Sequence, residues 1–476
     1  MCMNNIFKYK KLTIFVIFIG FVLSILLSIN NLNKYDKNLI DENGNSYHQM
    51  IKGDAYRYLS HGNEIKDQLE NNLSFFETGR EHYTKYLPPR VYALYYHFFN
   101  IDLFEDPDRK EIKIGIHLPY LVLQSLLYYF SIILLYLTIS KKINQKISFL
   151  IILFLSLEPT ILQYHSSFWS ESLFFSIQIL LISLILKKKQ TNLNFFFIGV
   201  LLTILSFQKE YSIFYILPVM VYLKFSLNNF NYKKFIFLII GFFLIQSILG
   251  YNNYKRSGQF YIMTADSKVN LHIDLVGKVI RKKFNLSGQE FNSMEGVTTL
   301  EWIKKNKIEY DEILIKNIKE PGYMDYRSAL SEKNKIKFDE FIRSRTLNYI
   351  SKYPLDFIKH VTKSSFHIIL LNPFHVYSDN NFVSGEIYYT SEMHDRLIPY
   401  RILYSLIIYI VCLYGLNQII KERKYNILFY LILSIAYFYG LVSWHGNTRY
   451  FMPVMIYLAF LFGYGLNGFL SLKQNN

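Results

Sequence analysis

Asp54 stands where an acid could do chemistry. It lies in Gly53-Asp54-Ala55-Tyr56-Arg57-Tyr58, a carboxylate among tyrosines about 25 residues past the first apolar run. A carboxylate just outside a membrane-length segment can take a proton from a bound polar group. Other residues of useful type recur at the ends of later apolar runs: Glu158 and Glu171, Lys209 and Glu210, His445 and Arg449. Arginine and lysine in such places suit a phosphate, because their N–H groups hydrogen-bond its oxygens and neutralise its charge. The set suits a lipid-anchored phosphorylated substrate drawn from the bilayer and a polar partner from outside.

The elements that must position these residues follow from hydropathy. Of 476 residues, 51% are hydrophobic, and they gather into runs with almost no charge. Runs of roughly 17–25 residues match the length a helix needs to cross a bilayer. The expected class is an all-α polytopic membrane protein with about ten transmembrane helices and two long extracytoplasmic segments. The spans fall at about 12–29, 115–139, 235–251, 399–420, 425–443 and 451–470. The stretch 147–186 is cut into two by Glu158-Pro159 and Gln163–Ser170, and 193–227 into two by Gln208-Lys209-Glu210. This divides the chain into an N-terminal membrane module (1–251) with a first outer loop (30–114), an extracytoplasmic segment (252–397) and C-terminal membrane helices (398–476). Lys8, Lys10 and Lys11 before the first run, with no small-residue cleavage site after it, read as an uncleaved signal anchor.

Net charge is +16, and its location decides what it means. If the N-terminus is inside, the inner segments hold 16 basic residues against one acid, Glu422, leaving 36 basic against 35 acidic from totals of 52 and 36. That is the positive-inside pattern. It accounts for the basic balance without nucleic acid, and no nucleic-acid partner is expected. The long polar segments then share the outer face. In the second, Phe338, Phe341, Ile342, Leu347, Tyr349 and Ile350 recur at helical spacing and predict an amphipathic helix ending near Pro354. Phe366–Leu371 is too short to span and is expected to dock on the bilayer or bundle. No ionisable Asp, Glu, Lys or Arg falls mid-span, which argues against an intramembrane proton relay. The two cysteines, Cys2 and Cys412, suggest neither a disulfide nor a cysteine metal site.

Four stretches, in order, resemble the GT-C glycosyltransferases. This group of integral membrane enzymes includes protein O-mannosyltransferases and the lipid A aminoarabinose transferase. The stretches are GDAYRYLSHG (53–62), YLPPRVYALYYHFFN (86–100), SFWSESLFFSIQILL (167–181) and TRYFMPVMIYLAFLFGYGL (448–466). The resemblance covers the whole chain in layout and short motifs in residues. It implies transfer of a sugar from a polyprenyl-phosphate-linked donor to a glycan, lipid or protein acceptor at the outer face. In a bacterium that face belongs to the inner membrane, with both termini cytoplasmic. Asp54 would be the base of an inverting displacement and Glu171 a second acid. Tyr56, Arg90, Lys209, His445, Arg449 and Tyr450 would bind substrate, with Lys209 and Arg449 on the lipid phosphate. Many members carry two adjacent acids where this chain has Gly53-Asp54, so the second acid is not fixed by the motif.

Each residue also has a structural role to weigh. Asp54 can cap the helix that follows. Glu171 can face a helix dipole. Lys209 and Arg449 can snorkel to the interface, and Glu210 can neutralise Lys209. Tyr58 is expected in the core. A divalent cation shared by Asp54 and Glu171 stays open, but hard ions need more oxygen ligands than these acids supply. Two other functions compete. A glycan ligase or polymerase would use His394, Arg396 and Arg401 of the late outer loop. A transporter or lipid flippase would move lipid without covalent chemistry.

Overall fold

The structure is a computed structural model. It describes residues 2–36, 38–40, 46–48, 54–73, 87–106, 111–112, 115–226, 232–258, 260, 262, 271–316, 318–371, 391–445 and 448–475. The side chains of Asp54, His394, Arg396 and Arg449 lie outside the described residues.

The membrane part opens with α1 (Cys2–Tyr35). Two helices of the first polar segment follow, α2 (Asp54–Glu70) and α3 (Leu87–Phe99). Short antiparallel ladders flank them: β1 (Asn38–Ile40) with β2 (Ser46–His48), and β3 (Phe104–Asp106) with β4 (Glu111–Ile112). Then come α4 (Leu118–Ile139), α5 (Gln145–Leu157), α6 (Pro159–His165), α7 (Glu171–Ile185), α8 (Asn192–Gln208), α9 (Ile216–Ser226) and α10 (Tyr232–Ser257). The second polar segment contains a π-helical turn (His272–Val276), α11 (Gly277–Phe284), α12 (Gly288–Lys305), α13 (Glu312–Lys316), α14 (Tyr323–Ser328), α15 (Glu332–Lys352) and α16 (Pro354–Ile368). The chain returns to the bundle through α17 (Ser391–Lys421), α18 (Tyr425–Val442) and α19 (Met452–Asn475).

The class is as expected, an all-α polytopic membrane protein, but the spans are not equal in length. Among the described residues, six helices are long and apolar enough to cross a bilayer, and the α5–α6 pair, bent by 53°, makes a seventh if it is one span. The bend has a local cause. Glu158 ends α5 with an extended backbone, then caps α6 by accepting a hydrogen bond from the Ile161 N–H, with Pro159 at the start of α6. The other expected spans are shorter: α7 has 15 residues, α8 has 17 and α9 has 11. Their polar ends (Ser170-Glu171 and Gln208-Lys209-Glu210) stop the apolar runs early.

Small and polar residues knit the bundle. A Cβ on Gly199 would meet the Leu238 carbonyl and one on Gly241 the Phe196 carbonyl, so α8 and α10 touch along their backbones. Gln178 on α7 donates to the Pro453 carbonyl (2.9 Å) and to the Tyr457 hydroxyl (3.0 Å). Tyr457 meets Tyr215 at 2.6 Å, and Tyr215 meets Ser434 at 2.8 Å. This chain of buried hydroxyls joins α7 and α19 to α18.

The second polar segment has its own core, including Val276, Phe291, Tyr326, Phe338 and Ile342. The expected amphipathic helix is α15. Phe338 and Ile342 are fully buried, whereas Leu347 is exposed because its position turns past the packed face. Of the short apolar run Phe366–Leu371, the last three residues follow α16 and dock on the bundle. The Leu371 N–H donates to Ser405 Oγ (2.8 Å), Arg401 to the Leu370 carbonyl (2.9 Å), and the Tyr409 hydroxyl to the Ile369 carbonyl (2.6 Å).

Candidate functional site

The first turn of α7 and the end of α8 meet at one end of the bundle. Gln208, the last residue of α8, donates from Nε2 to the Ser170 carbonyl at 2.7 Å. That bond fixes the backbone beside Lys209, which leaves the helix in an extended conformation. The Lys209 ammonium then forms an ion pair with Glu171 at the start of α7, and each side chain is only 2% exposed. The partner of Lys209 is thus a residue 38 positions away. Two opposite charges so buried are held by each other and by the positive end of α7, which favours the Glu171 carboxylate.

An aromatic stack covers the pair. Lys209 Nζ lies 5.7 Å from the centre of the Tyr450 ring. His445 stacks on Tyr450 with ring centres 3.7 Å apart, and Trp444 stacks on His445 at 3.7 Å. The turn between α18 and α19 supplies all three. Arg449 lies in the 3-10 turn Thr448–Phe451 that leads into α19. Lys278 of α11 reaches the His445 carbonyl at 3.5 Å and ties the second polar segment to the same turn.

The first polar segment closes another side. Pro88, Pro89 and Arg90 are buried in the first turn of α3, and Arg90 is 2% exposed. The Tyr92 hydroxyl donates to the Phe168 carbonyl (2.8 Å), three residues before Glu171. Leu87 packs on Phe207, so α3 meets the end of α8. Asp54 is the first residue of α2, which packs along α3. Tyr56 is exposed, while Tyr58 is buried as expected of a core residue.

Beside this end of the bundle runs an apolar groove of about 250 Å³. Val91, Leu94, Tyr95 and Phe98 of α3 form one wall, and Leu123 and Leu127 of α4 the other. Leu173 of α7, two residues from Glu171, also lines it. Phe98 is 77% exposed, so the outer rim is apolar and unshielded by protein.

The structure therefore brings Glu171, Lys209, Tyr450 and His445 together and sets Arg90 on the helix next to them. Sequence reasoning missed the Gln208 brace and the groove. The polar break at Gln208 was visible in the sequence, but its partner was not. Among the described residues no group of three or more His, Cys, Asp or Glu side chains converges on a metal position.

Fold and hydropathy together define an all-α polytopic membrane protein. The chain is similar to the archaeal oligosaccharyltransferase AglB from Archaeoglobus fulgidus, whose structure was solved with an inhibitory peptide and a dolichol-phosphate. The TM-score is 0.50 at 10% sequence identity, and the likeness covers 98% of this chain and 52% of that one. The chain thus spans about half the length of that protein, and at this identity the likeness is one of fold. No family model and no curated protein matches the sequence.

Proposed function

We propose that the protein is a membrane glycosyltransferase that moves a sugar from a polyprenyl-phosphate-linked donor to a glycan, lipid or protein acceptor. The reading rests above all on the buried Lys209–Glu171 pair beneath Tyr450, beside an apolar groove, in a GT-C fold. A lysine paired with Glu171, two residues along α7 from the groove-lining Leu173, suits a substrate that is phosphate at one end and hydrocarbon at the other. The isoprenoid lies along Leu94, Phe98 and Leu123. The phosphate is held by Lys209 and Arg449, with Arg90 on the sugar or phosphate.

In this reading the Asp54 carboxylate takes the acceptor proton as the acceptor oxygen attacks the anomeric carbon. The bond from that carbon to the phosphate oxygen breaks with inversion, and the electron pair leaves on the phosphate. Lys209 and Arg449 neutralise the growing charge. Glu171 orients Lys209 rather than touching the sugar. The charge distribution supports both termini in the cytoplasm and the site on the outer face, which in a bacterium is that of the inner membrane.

Reconstitution with a polyprenyl-phosphate sugar tests the proposal. Asp54→Asn is expected to lower turnover by about 100- to 10,000-fold, the usual worth of a general base, with donor binding retained. Near-normal turnover in that variant would remove Asp54 from the mechanism. Sugar crossing the bilayer with no covalent product would replace the enzyme with a transporter.

A further inference from the structure

The three residues that follow α16 are anchored to a membrane-spanning helix. Leu370 and Leu371 are held by Arg401 and Ser405, and Ile369 by Tyr409. These anchors lie within the apolar span Ile398–Lys421 of α17. At about 1.5 Å of rise per residue, Arg401 is about 5 Å and Tyr409 about 16 Å into that span. The helix leading to this point therefore approaches the bilayer surface.

The surface of α16 suits that place. Leu355, Ile358 and Phe366 are 78%, 61% and 66% exposed and share one stripe at helical spacing. Phe357 and Ile368 point instead to protein. Cations border the apolar stripe: Lys359 and Lys363 of α16, and across from them Lys278 and Lys282 of α11, which packs on α16. Lys278, Lys282 and Lys363 converge around His360. Burial, followed by the charges of Lys278, Lys282 and Lys363, holds its imidazole below the ordinary range, only partly offset by a hydrogen bond with the Trp444 backbone. An ion pair on this face, Lys283 with Asp356, lies at 2.6 Å. An exposed apolar stripe bordered by lysines is the pattern of a helix lying in the membrane interface.

We infer that α16 and α11 form an interfacial docking surface for anionic phospholipid, with Leu355, Ile358 and Phe366 among the acyl chains and Lys282, Lys359 and Lys363 on the head-group phosphates. The surface holds the second polar segment down against the bilayer, next to the turn that carries His445 and Tyr450. It does not depend on the glycosyl-transfer reading, because it concerns bulk lipid and not substrate.

Amide hydrogen exchange of the full chain in nanodiscs tests the inference. In discs of phosphatidylcholine with about one-third phosphatidylglycerol, exchange over 354–368 is expected to slow at least several-fold relative to phosphatidylcholine alone. The difference is expected to vanish in the Lys282→Gln/Lys359→Gln/Lys363→Gln variant, while exchange over 452–471 stays unchanged. Equal exchange in the two bilayers overturns the inference, as does protection that survives in the variant. Protection produced only by inorganic pyrophosphate in solution, or only by polyprenyl phosphate, also overturns it and assigns the cations to a soluble anion or to the substrate lipid.

Discussion

Lys209 and Glu171 form an ion pair shielded from solvent, and it joins the end of α8 to the start of α7. Removing either partner leaves a lone buried charge, which costs about 3–5 kcal/mol. Lys209→Met and Glu171→Gln are each expected to lower the unfolding temperature of the detergent-solubilised protein clearly. The double variant is expected to recover most of that loss while staying inactive, because the phosphate contact is gone. Single variants as stable as the parent would contradict the pairing.

The groove predicts discrimination by lipid length. Filling it with Leu123→Trp is expected to raise KM several-fold for a long-chain polyprenyl-phosphate donor and to leave a donor of one or two isoprene units little changed. Initial-rate kinetics with donors of graded length would show this. A uniform effect on all donors would place the isoprenoid elsewhere.

Glu295 gives the second polar segment a pH signature. Burial would raise its pKa, but hydrogen bonds from His272, Arg345 and Tyr349 outweigh burial and hold it at about 2, against an ordinary 4.5. A folded-state pKa below the unfolded one contributes stability that is complete above pH 4.5 and fades as the pH falls towards 2. A shift of this size corresponds to about 3 kcal/mol. Tryptophan fluorescence at Trp302 is expected to report acid unfolding of this segment. Glu295→Gln is expected to lower its stability at neutral pH and flatten the acid dependence. An unchanged acid profile in that variant would remove Glu295 as its source.

Arg401 separates the proposed site from the late-loop alternative. It is buried and donates to the Leu370 carbonyl, which fixes the backbone after α16. Arg401→Ala is expected to lose about 1–3 kcal/mol of stability, with activity falling only as far as folded protein does. Lost turnover in a fully folded variant would favour a ligase or polymerase centred on that loop.

Much of this was legible in the sequence because membranes impose simple demands. Apolar run length and lysine clusters outlined the helices, and Glu158-Pro159 and Gln208-Lys209-Glu210 marked the breaks. The partner of Lys209 was not legible. Glu210 is its neighbour in sequence, but helix packing brings Glu171 to it, and spacing along the chain carries no trace of that. The Gln178–Tyr457–Tyr215 seam was hidden for a related reason: tyrosines occur throughout the apolar runs, and only packing selects the few that meet. The groove arises from two helices in separate segments, so no single stretch encodes it.

The brevity of α7 and α8 has a consequence for their polar ends. At about 1.5 Å per residue they measure about 22 and 26 Å, short of a hydrocarbon layer of about 30 Å. α7 is buried on nearly every side and α8 over its last turn, so protein rather than lipid fills the difference. The polar turns that end these helices, Ser170-Glu171 and Gln208-Lys209-Glu210, therefore lie where a longer helix would still be crossing hydrocarbon, and buried partners replace the water they would otherwise need.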